Sequence, residues 1–295
     1  MSLGPLAVVL VHWDQPERCL RTVAAFVDSG LSLRMTVVDN GSSPAALAVL
    51  KEGLADDVAL VETGANLGFG PGANVGLRRW LDHDDSEWAA VAPHDALPGP
   101  GCLRALLAAV AGRPRAGLAS ADVGDGRTPV VDPYFGGITL PATVEHGWEP
   151  AGYPHGTLFL ARRSCLAAVG PFDERYFAYC EEADLGERAR RAGWQVGIVR
   201  GATVSNPHLG GGAEVVDYLM LRNTLLLVRT HFGRYRAGIR FAIALWHLVI
   251  GTLRPSSRPL VFAPRARVLA LRHHLQRRYG PPPASLGRRA TRDRV

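Results

Sequence analysis

Apolar positions along the first hundred residues follow two rhythms that alternate. Continuous runs at residues 6–11 (LAVVLV), 35–38, 58–61 and 88–92 suit strands buried on both faces. Between them the apolar positions fall at helical spacing, as with Leu20, Val23 and Val27 after Pro16, and a turn-rich stretch at 39–44 (DNGSSP) leads into another helix. A further helix is predicted over 102–111. Strands alternating with helices predict a parallel α/β sheet. Such sheets bind ligands at the carboxyl ends of their strands, which is where His12, Asp14, Asp39 and Asp95 fall.

The later chain changes character. Residues 112–154 are irregular and broken by glycines, 155–163 (HGTLFLARR) read as another strand, and 172–194 (FDERYFAYCEEADLGERARRAGW) form the most strongly punctuated stretch. Glu181, Glu182 and Asp184 fall in the first turn of a short helix, where unpaired N–H groups and the positive end of the dipole favour carboxylates. Arg188, Arg190 and Arg191 suit its later turns, and Gly193 closes it. Leu185, Ala189 and Ala192 give a narrow apolar stripe, so the helix docks on a core while its acidic end faces a cleft. Three helices follow at 215–232, 234–253 and 265–279, before a Gly280-Pro-Pro-Pro stop and a basic tail without expected order.

With 295 residues, 47% hydrophobic and 20% charged, the chain can bury a sizeable core, as one large domain with an appendage. The net charge of +6 is unevenly placed. Residues 254–295 hold 11 arginines and one acid, which leaves the first 253 residues at −4. A mildly acidic body argues against a nucleic-acid partner and leaves an anionic membrane surface open to the basic end. The four cysteines form no CxxC or Cys/His pattern and read as reduced, buried thiols. No charged leader pattern precedes the first strand, so a cytoplasmic location is expected. The apolar run at 241–253 is shorter than the roughly 20 residues of a spanning helix. It is expected to lie on the inner face of a membrane as a peripheral contact, or to pack on the α/β body or on a second subunit, which allows a homodimer.

Two motifs need weighing. Gly68, Gly70 and Ala73 nearly satisfy the dinucleotide fingerprint, but they follow the third strand rather than the first and lack the acid a ribose would need, which disfavours hydride transfer. Nucleotidyl transfer would need a basic glycine-rich signature near the N-terminus that is missing. Asp95, at a strand end between prolines (PHDALPGPG), suits a divalent ion bridging to a diphosphate.

Taken in order, VVLVHWDQPERCL, VVDNGSSP, NLGFGPGANVG, APHDALPGPG, GTLFLARR, GPFDERYFAYCEEADLGERARRAGW and YLMLRNTLLLVRTHFG resemble the motifs of the inverting glycosyltransferases of family 2, most closely its rhamnosyltransferase-like branch, over about residues 5–230. The resemblance implies a GT-A fold: a Rossmann-like, mostly parallel sheet flanked by helices, with a C-terminal helical appendage. It implies a catalytic domain at 1–213 (nucleotide-binding half 1–100, acceptor-binding half 101–213), an appendage at 214–280 and a tail at 281–295. Asp39 matches the acid that accepts a hydrogen bond from the nucleobase, with His12 and Asp14 beside it. Asn66, Gly68, Asn74 and His94 join the donor-contacting set. Asp95 matches the last acid of the Asp-x-Asp motif that binds Mg²⁺ or Mn²⁺, with His208 as a second ligand. Pro93 stands where the motif has its first acid, and the family's histidine aligns nearer Asn206. Glu182 matches the catalytic base, with Glu181 and Asp184 as orienting or acceptor-binding neighbours. The implied reaction moves a hexose or deoxyhexose from a UDP- or dTDP-sugar to a carbohydrate, lipid-linked or small natural-product acceptor, by metal-assisted single displacement with inversion. A non-catalytic relative that binds sugar nucleotides or glycans is the alternative, motivated by Pro93.

Overall fold

The computed structural model describes residues 4–206, 212–259 and 261–287. The chain forms two compact units, one of Met1–Val130, Thr139–Asp173 and Glu182–His208, the other of Val131–Ile138, Glu174–Glu181 and Leu209–Val295.

In the first unit β1 (Leu6–His12), α1 (Pro16–Val27), β2 (Leu33–Asp39), α2 (Pro44–Gly53), β3 (Ala59–Glu62), α3 (Phe69–His83) and β4 (Trp88–Pro93) alternate as the apolar pattern predicts. They are followed by β5 (Leu97–Pro98), α4 (Cys102–Ala111), β6 (Ala116–Asp122), a hairpin of β7 (Arg127–Asp132) and β8 (Gly136–Pro141), and β9 (Gly147–Pro150). Then come β10 (Phe159–Arg162), α5 (Arg163–Val169), α6 (Glu181–Arg191) and β11 (Gln195–Ser205). The main sheet runs β3-β2-β1-β4-β10-β6-β11, with β5 and β9 both paired to β11. Its contacts are parallel across β3, β2, β1 and β4 and between β6 and β11, while β10 enters antiparallel between β4 and β6.

Strand alternation divides the core. Leu6, Val8 and Leu10 of β1 face α1 and α4 through Cys19, Phe26, Leu103 and Leu106. Ala7, Val9 and Val11 face α3, α5 and α6 through Leu77, Trp80, Leu166, Leu185 and Ala189. Both sheet faces are therefore covered, as a buried parallel sheet requires. The glycines of α3 serve this packing: a β-carbon at Gly76 would meet the Val9 side chain, so α3 lies unusually close to β1. Cys19, Cys102 and Cys165 are buried free thiols, and burial pushes each up to about 12.

Two expectations need revision. The stretch read as irregular short strands broken by glycines, 112–154, resolves into four strands, one of them the central β6 of seven residues, and the 11-residue β11 has no counterpart in the sequence reading. β11 is interrupted by a register shift between Val199 and Thr203, around Gly201, which breaks its alternation.

The second unit is built on α7 (Ala213–Leu253) and α8 (Pro264–Leu275). α7 breaks at Gly233 (φ 86°, ψ 174°), the boundary expected between its two helical patterns. Tyr218, Leu219, Leu225, Ala244 and Leu248 of α7 share a core with Ala266, Ala270 and Leu271 of α8. Asp217 fixes the start of α8, accepting from the Ala263 N–H (2.7 Å) and pairing with Arg267. The run at 241–253 thus belongs to a longer helix, which by length and composition alone is apolar enough to cross a membrane.

Candidate active site

The carboxyl ends of β1 and β2 carry the first cluster. His12 closes β1 and Asp39 closes β2, and parallel register sets them side by side. The His12 Nδ1–H donates to Asp39 Oδ1 at 2.9 Å, while Nε2 accepts from the Gln15 N–H at 3.1 Å. Both ring nitrogens are thereby committed. Burial depresses the His12 pKa despite the attraction of Asp39, so the ring is neutral and supports Asp39 from behind. The other carboxylate oxygen of Asp39 accepts from the Ser42 N–H at 3.2 Å. Asp14, in the left-handed region (φ 52°), accepts from the Ser43 N–H and donates its own N–H to Ser42 Oγ.

Asn40, which the sequence reading did not single out, ties this loop to the next. Its amide donates to the Gly68 carbonyl (2.9 Å) and its carbonyl oxygen accepts from the Leu67 N–H (3.0 Å). Asn66 Oδ1 accepts from the Gly68 N–H at 2.9 Å. Gly41 (φ 75°) makes the approach feasible, since a β-carbon there would lie 2.5 Å from the α-carbon of Ala65. The neighbouring glycine and two asparagines were the readable signal. Asn74 is different: fully buried, it donates to the Phe172 carbonyl and accepts from the Phe172 N–H, both at 2.9 Å, and so ties α3 to the 170s segment.

At the end of β4 the His94 Nδ1–H donates to the Val11 carbonyl at 3.2 Å, and its ring stands edge-on to His12 with centroids 5.5 Å apart. Burial lowers its pKa, and Nε2 is enclosed with no hydrogen-bond partner among the described residues. Asp95 Oδ1 accepts from the Asn206 amide at 3.1 Å. The pairing of β5 with the last residues of β11 (Leu97 opposite Ser205) brings these two together. Asn206 therefore stands beside Asp95, and His208 lies outside the described residues. Among the described residues no group of three His, Cys, Asp or Glu side chains is arranged to hold a metal ion. Asp95 fits a cation completed by substrate phosphates and water, the usual arrangement of Mg²⁺, rather than an all-protein cage.

The second cluster opens α6. Because β10 runs antiparallel with Phe159 opposite Val91, the segment entering it, residues 155–158, lies at the sheet end where Pro93, His94 and Asp95 leave β4. Gly156 of that segment lies against the Glu182 carboxyl. Glu182 is partly buried, and loss of solvent pushes its carboxyl up to about 7. Asp184 is fully buried, and its Oδ2 accepts from Arg188 at 2.8 Å. Arg188 in turn donates to the carbonyls of Val169, Gly170 and Pro171. Asp184 thus holds the guanidinium that fixes the loop before α6.

Within the second unit the segment ending at Glu181 has an unusual backbone. Phe177, Tyr179 and Cys180 all take positive φ (65°, 68° and 74°), costing on the order of 1 kcal/mol or more each. Asn223 of α7 holds it, donating to the carbonyls of Tyr176, Ala178 and Tyr179 at 2.7, 2.8 and 2.9 Å. The neighbouring Arg222, fully buried, donates to the Gly280 carbonyl and to the Tyr218 hydroxyl. Sequence reasoning noted the YLMLRN stretch without assigning these roles.

The sheet order and flanking helices define the GT-A architecture. No protein-family profile matches the chain. It is 28% identical over 282 residues to N-acetylglucosaminyl-diphospho-decaprenol L-rhamnosyltransferase of Mycobacterium tuberculosis, covering 82% of this chain and 89% of that one. It is 25% identical over 251 residues to the low-salt glycan biosynthesis hexosyltransferase Agl10 of Haloferax volcanii, covering 79% and 78%. In fold it is similar to the mannosyltransferase PcManGT of Pyrobaculum calidifontis, solved with GDP-Man and Mn²⁺ (TM-score 0.59, 15% identity, 92% of this chain and 86% of that one). The chain has the GT-A fold and is similar to glycosyltransferases over most of its length.

Proposed function

We propose that the enzyme transfers a deoxyhexose or hexose from a UDP- or dTDP-sugar to a hydroxyl of a lipid-diphosphate-linked sugar, by single displacement with inversion. The observation that carries the mechanism is Glu182, a carboxyl at about 7 at the sheet end where Asp95 and His94 emerge. A base poised near neutral pH is suited to take a proton from an alcohol as it attacks. As the acceptor oxygen bonds to the anomeric carbon, its proton passes to Glu182. The bond from that carbon to the diphosphate oxygen breaks on the opposite face, and the nucleoside diphosphate leaves. Asp39, held by His12 and Ser42, keeps acceptor capacity for a nucleobase N–H, and His94 Nε2 offers a lone pair to a donor hydroxyl or N–H. Asp14, Asn66 and Gly68 shape the surrounding loops. A divalent cation held on Asp95 would supply charge stabilisation to the departing diphosphate. The acceptor class is supported by the mycobacterial relative, whose name specifies a diphospho-decaprenol substrate. A binding-only relative would have no use for a base tuned in this way, which favours catalysis over the non-catalytic alternative.

The test is calorimetric titration with UDP, dTDP and GDP, each with and without Mn²⁺, followed by turnover assays with the sugar donors of the nucleotide that binds. Glu182→Gln is expected to keep donor binding and lose transfer, and Asp95→Ala to lose the metal dependence of donor binding. Unchanged turnover in Glu182→Gln would remove the base assignment, and a persistent Mn²⁺ response in Asp95→Ala would move the cation elsewhere.

A further inference from the structure

The half of α7 beyond Gly233 has two apolar faces, and only one is packed. Ala237, Ala244, Leu248 and Gly251 are buried, the last three against the α8 side of the unit. On the other face Leu245, Trp246, Val249 and Leu253 are 46, 63, 43 and 73% exposed, and Ala242 continues the row. The spacing 242, 245/246, 249, 253 is that of one helical stripe. A water-facing stripe is expected to be polar, so a row of large apolar side chains including a tryptophan marks a contact surface.

Charge identifies what covers it. Residues 212–287 contain twelve arginines, no lysine and two acids, Glu214 and Asp217. Asp217 is already neutralised by Arg267. Two copies meeting through this stripe would bring two arginine-rich surfaces together, at an electrostatic cost. An anionic lipid headgroup layer neutralises the same charges while its acyl region accepts the apolar stripe, and tryptophan favours that boundary. The helix is long and apolar enough to cross a bilayer by composition alone, but its break at Gly233, the exposed arginines at 234 and 254, and the packing of its other face on α8 suit a helix lying in the interface.

We infer that the stripe Ala242, Leu245, Trp246, Val249 and Leu253 seats the enzyme on an anionic lipid monolayer. The inference rests on the proposed lipid-linked acceptor for its purpose, but not for its test. The full-length protein is sedimented with phosphatidylcholine vesicles with and without phosphatidylglycerol, in the absence of donor and acceptor. Binding is expected only with phosphatidylglycerol, weakening with salt, and falling about tenfold or more in a Trp246→Glu, Val249→Glu variant. Brominated lipid is expected to quench a fluorescence component of the unmodified enzyme that Trp246→Phe lacks. Transfer to a short-chain, water-soluble acceptor is expected to be unchanged in the double variant, so loss of transfer and loss of seating are read separately. Absence of binding to anionic vesicles would overturn the inference. So would undiminished binding by the variant, or a dimer of the unmodified chain that the variant dissociates.

Discussion

Gly156 lies against Glu182 so closely that a β-carbon at 156 would sit 2.9 Å from the carboxyl carbon and 3.3 Å from the γ-carbon. The missing side chain is therefore what leaves room for the Glu182 carboxyl. Gly156→Ala forces the carboxyl out of its seat while leaving the β1, β2 and β4 ends untouched. Transfer is expected to fall on the order of 10²-fold with donor affinity preserved, because misplacing a reacting group by about 1 Å costs that much. Steady-state kinetics with a donor titration would check this. Wild-type turnover in Gly156→Ala would show that the carboxyl can do its work from elsewhere.

The raised pKa of Glu182 predicts both activity and stability against pH. A base must be ionised to act, so turnover is expected to rise with pH and level off above an apparent pKa of about 7. Stability runs the other way. A carboxyl whose folded pKa exceeds its unfolded value favours folding below about 4.5 and loses that contribution as pH rises through about 7. Glu182→Gln, inactive at every pH, is accordingly expected to be more stable than the unmodified enzyme at pH 8, on the order of 1–3 kcal/mol by denaturant titration. The difference should vanish near pH 4. A variant equally stable or weaker at pH 8 would mean that the carboxyl is not held at a cost.

Asn223 donates its amide to three carbonyls of the segment whose next residues are Glu181 and Glu182. Left-handed backbone at Phe177, Tyr179 and Cys180 persists only where surroundings hold it. Asn223→Ala is expected to lower kcat by roughly 10- to 100-fold, with donor KM little changed and the pH midpoint of turnover shifted from about 7. Asn223→Asp, which cannot donate, should not rescue it. A loss confined to melting temperature would reduce Asn223 to a packing role.

The first half of the fold was legible because its strands are continuous apolar runs, and a buried parallel sheet leaves few other readings of residues 6–11 or 88–92. Asp39 and Asp95 could be placed at strand ends for the same reason. The antiparallel insertion of β10 could not be read, since a four-residue strand carries no sign of direction, and that insertion puts Gly156 beside the exit of β4. The helix-start position of Glu182 was legible, but the burial that raises its pKa, with Gly156 packed against the carboxyl, was not. His12 and Asn74 show the converse. The resemblance put both in the donor-contacting set, and in the structure hydrogen bonding commits the ring nitrogens of His12 and both amide functions of Asn74 to the protein. The resemblance aligned the family's histidine near Asn206, and the structure shows that residue bonded to Asp95.

A final prediction concerns the later strands of the main sheet, where Arg200 of β11 is buried among Glu149 of β9, Asp122 at the end of β6 and Thr128 of β7. Burial alone would raise the Glu149 carboxyl, but donation from the Thr143 N–H, the Arg200 guanidinium and the Thr143 hydroxyl outweighs it and holds the group at about 2. A depressed carboxylate stabilises the fold above its unfolded pKa of about 4.5 and loses that contribution as pH falls towards 2. The amount is about 3 kcal/mol, lost almost entirely within that window. Glu149→Gln leaves Arg200 buried with only Asp122 to balance it, and a broken buried pair costs about 3–5 kcal/mol. Chemical denaturation between pH 2 and 7 should therefore show a steep acid limb in the unmodified enzyme and a lower, flatter curve in Glu149→Gln. An equally steep limb in the variant would assign the acid sensitivity to other carboxylates.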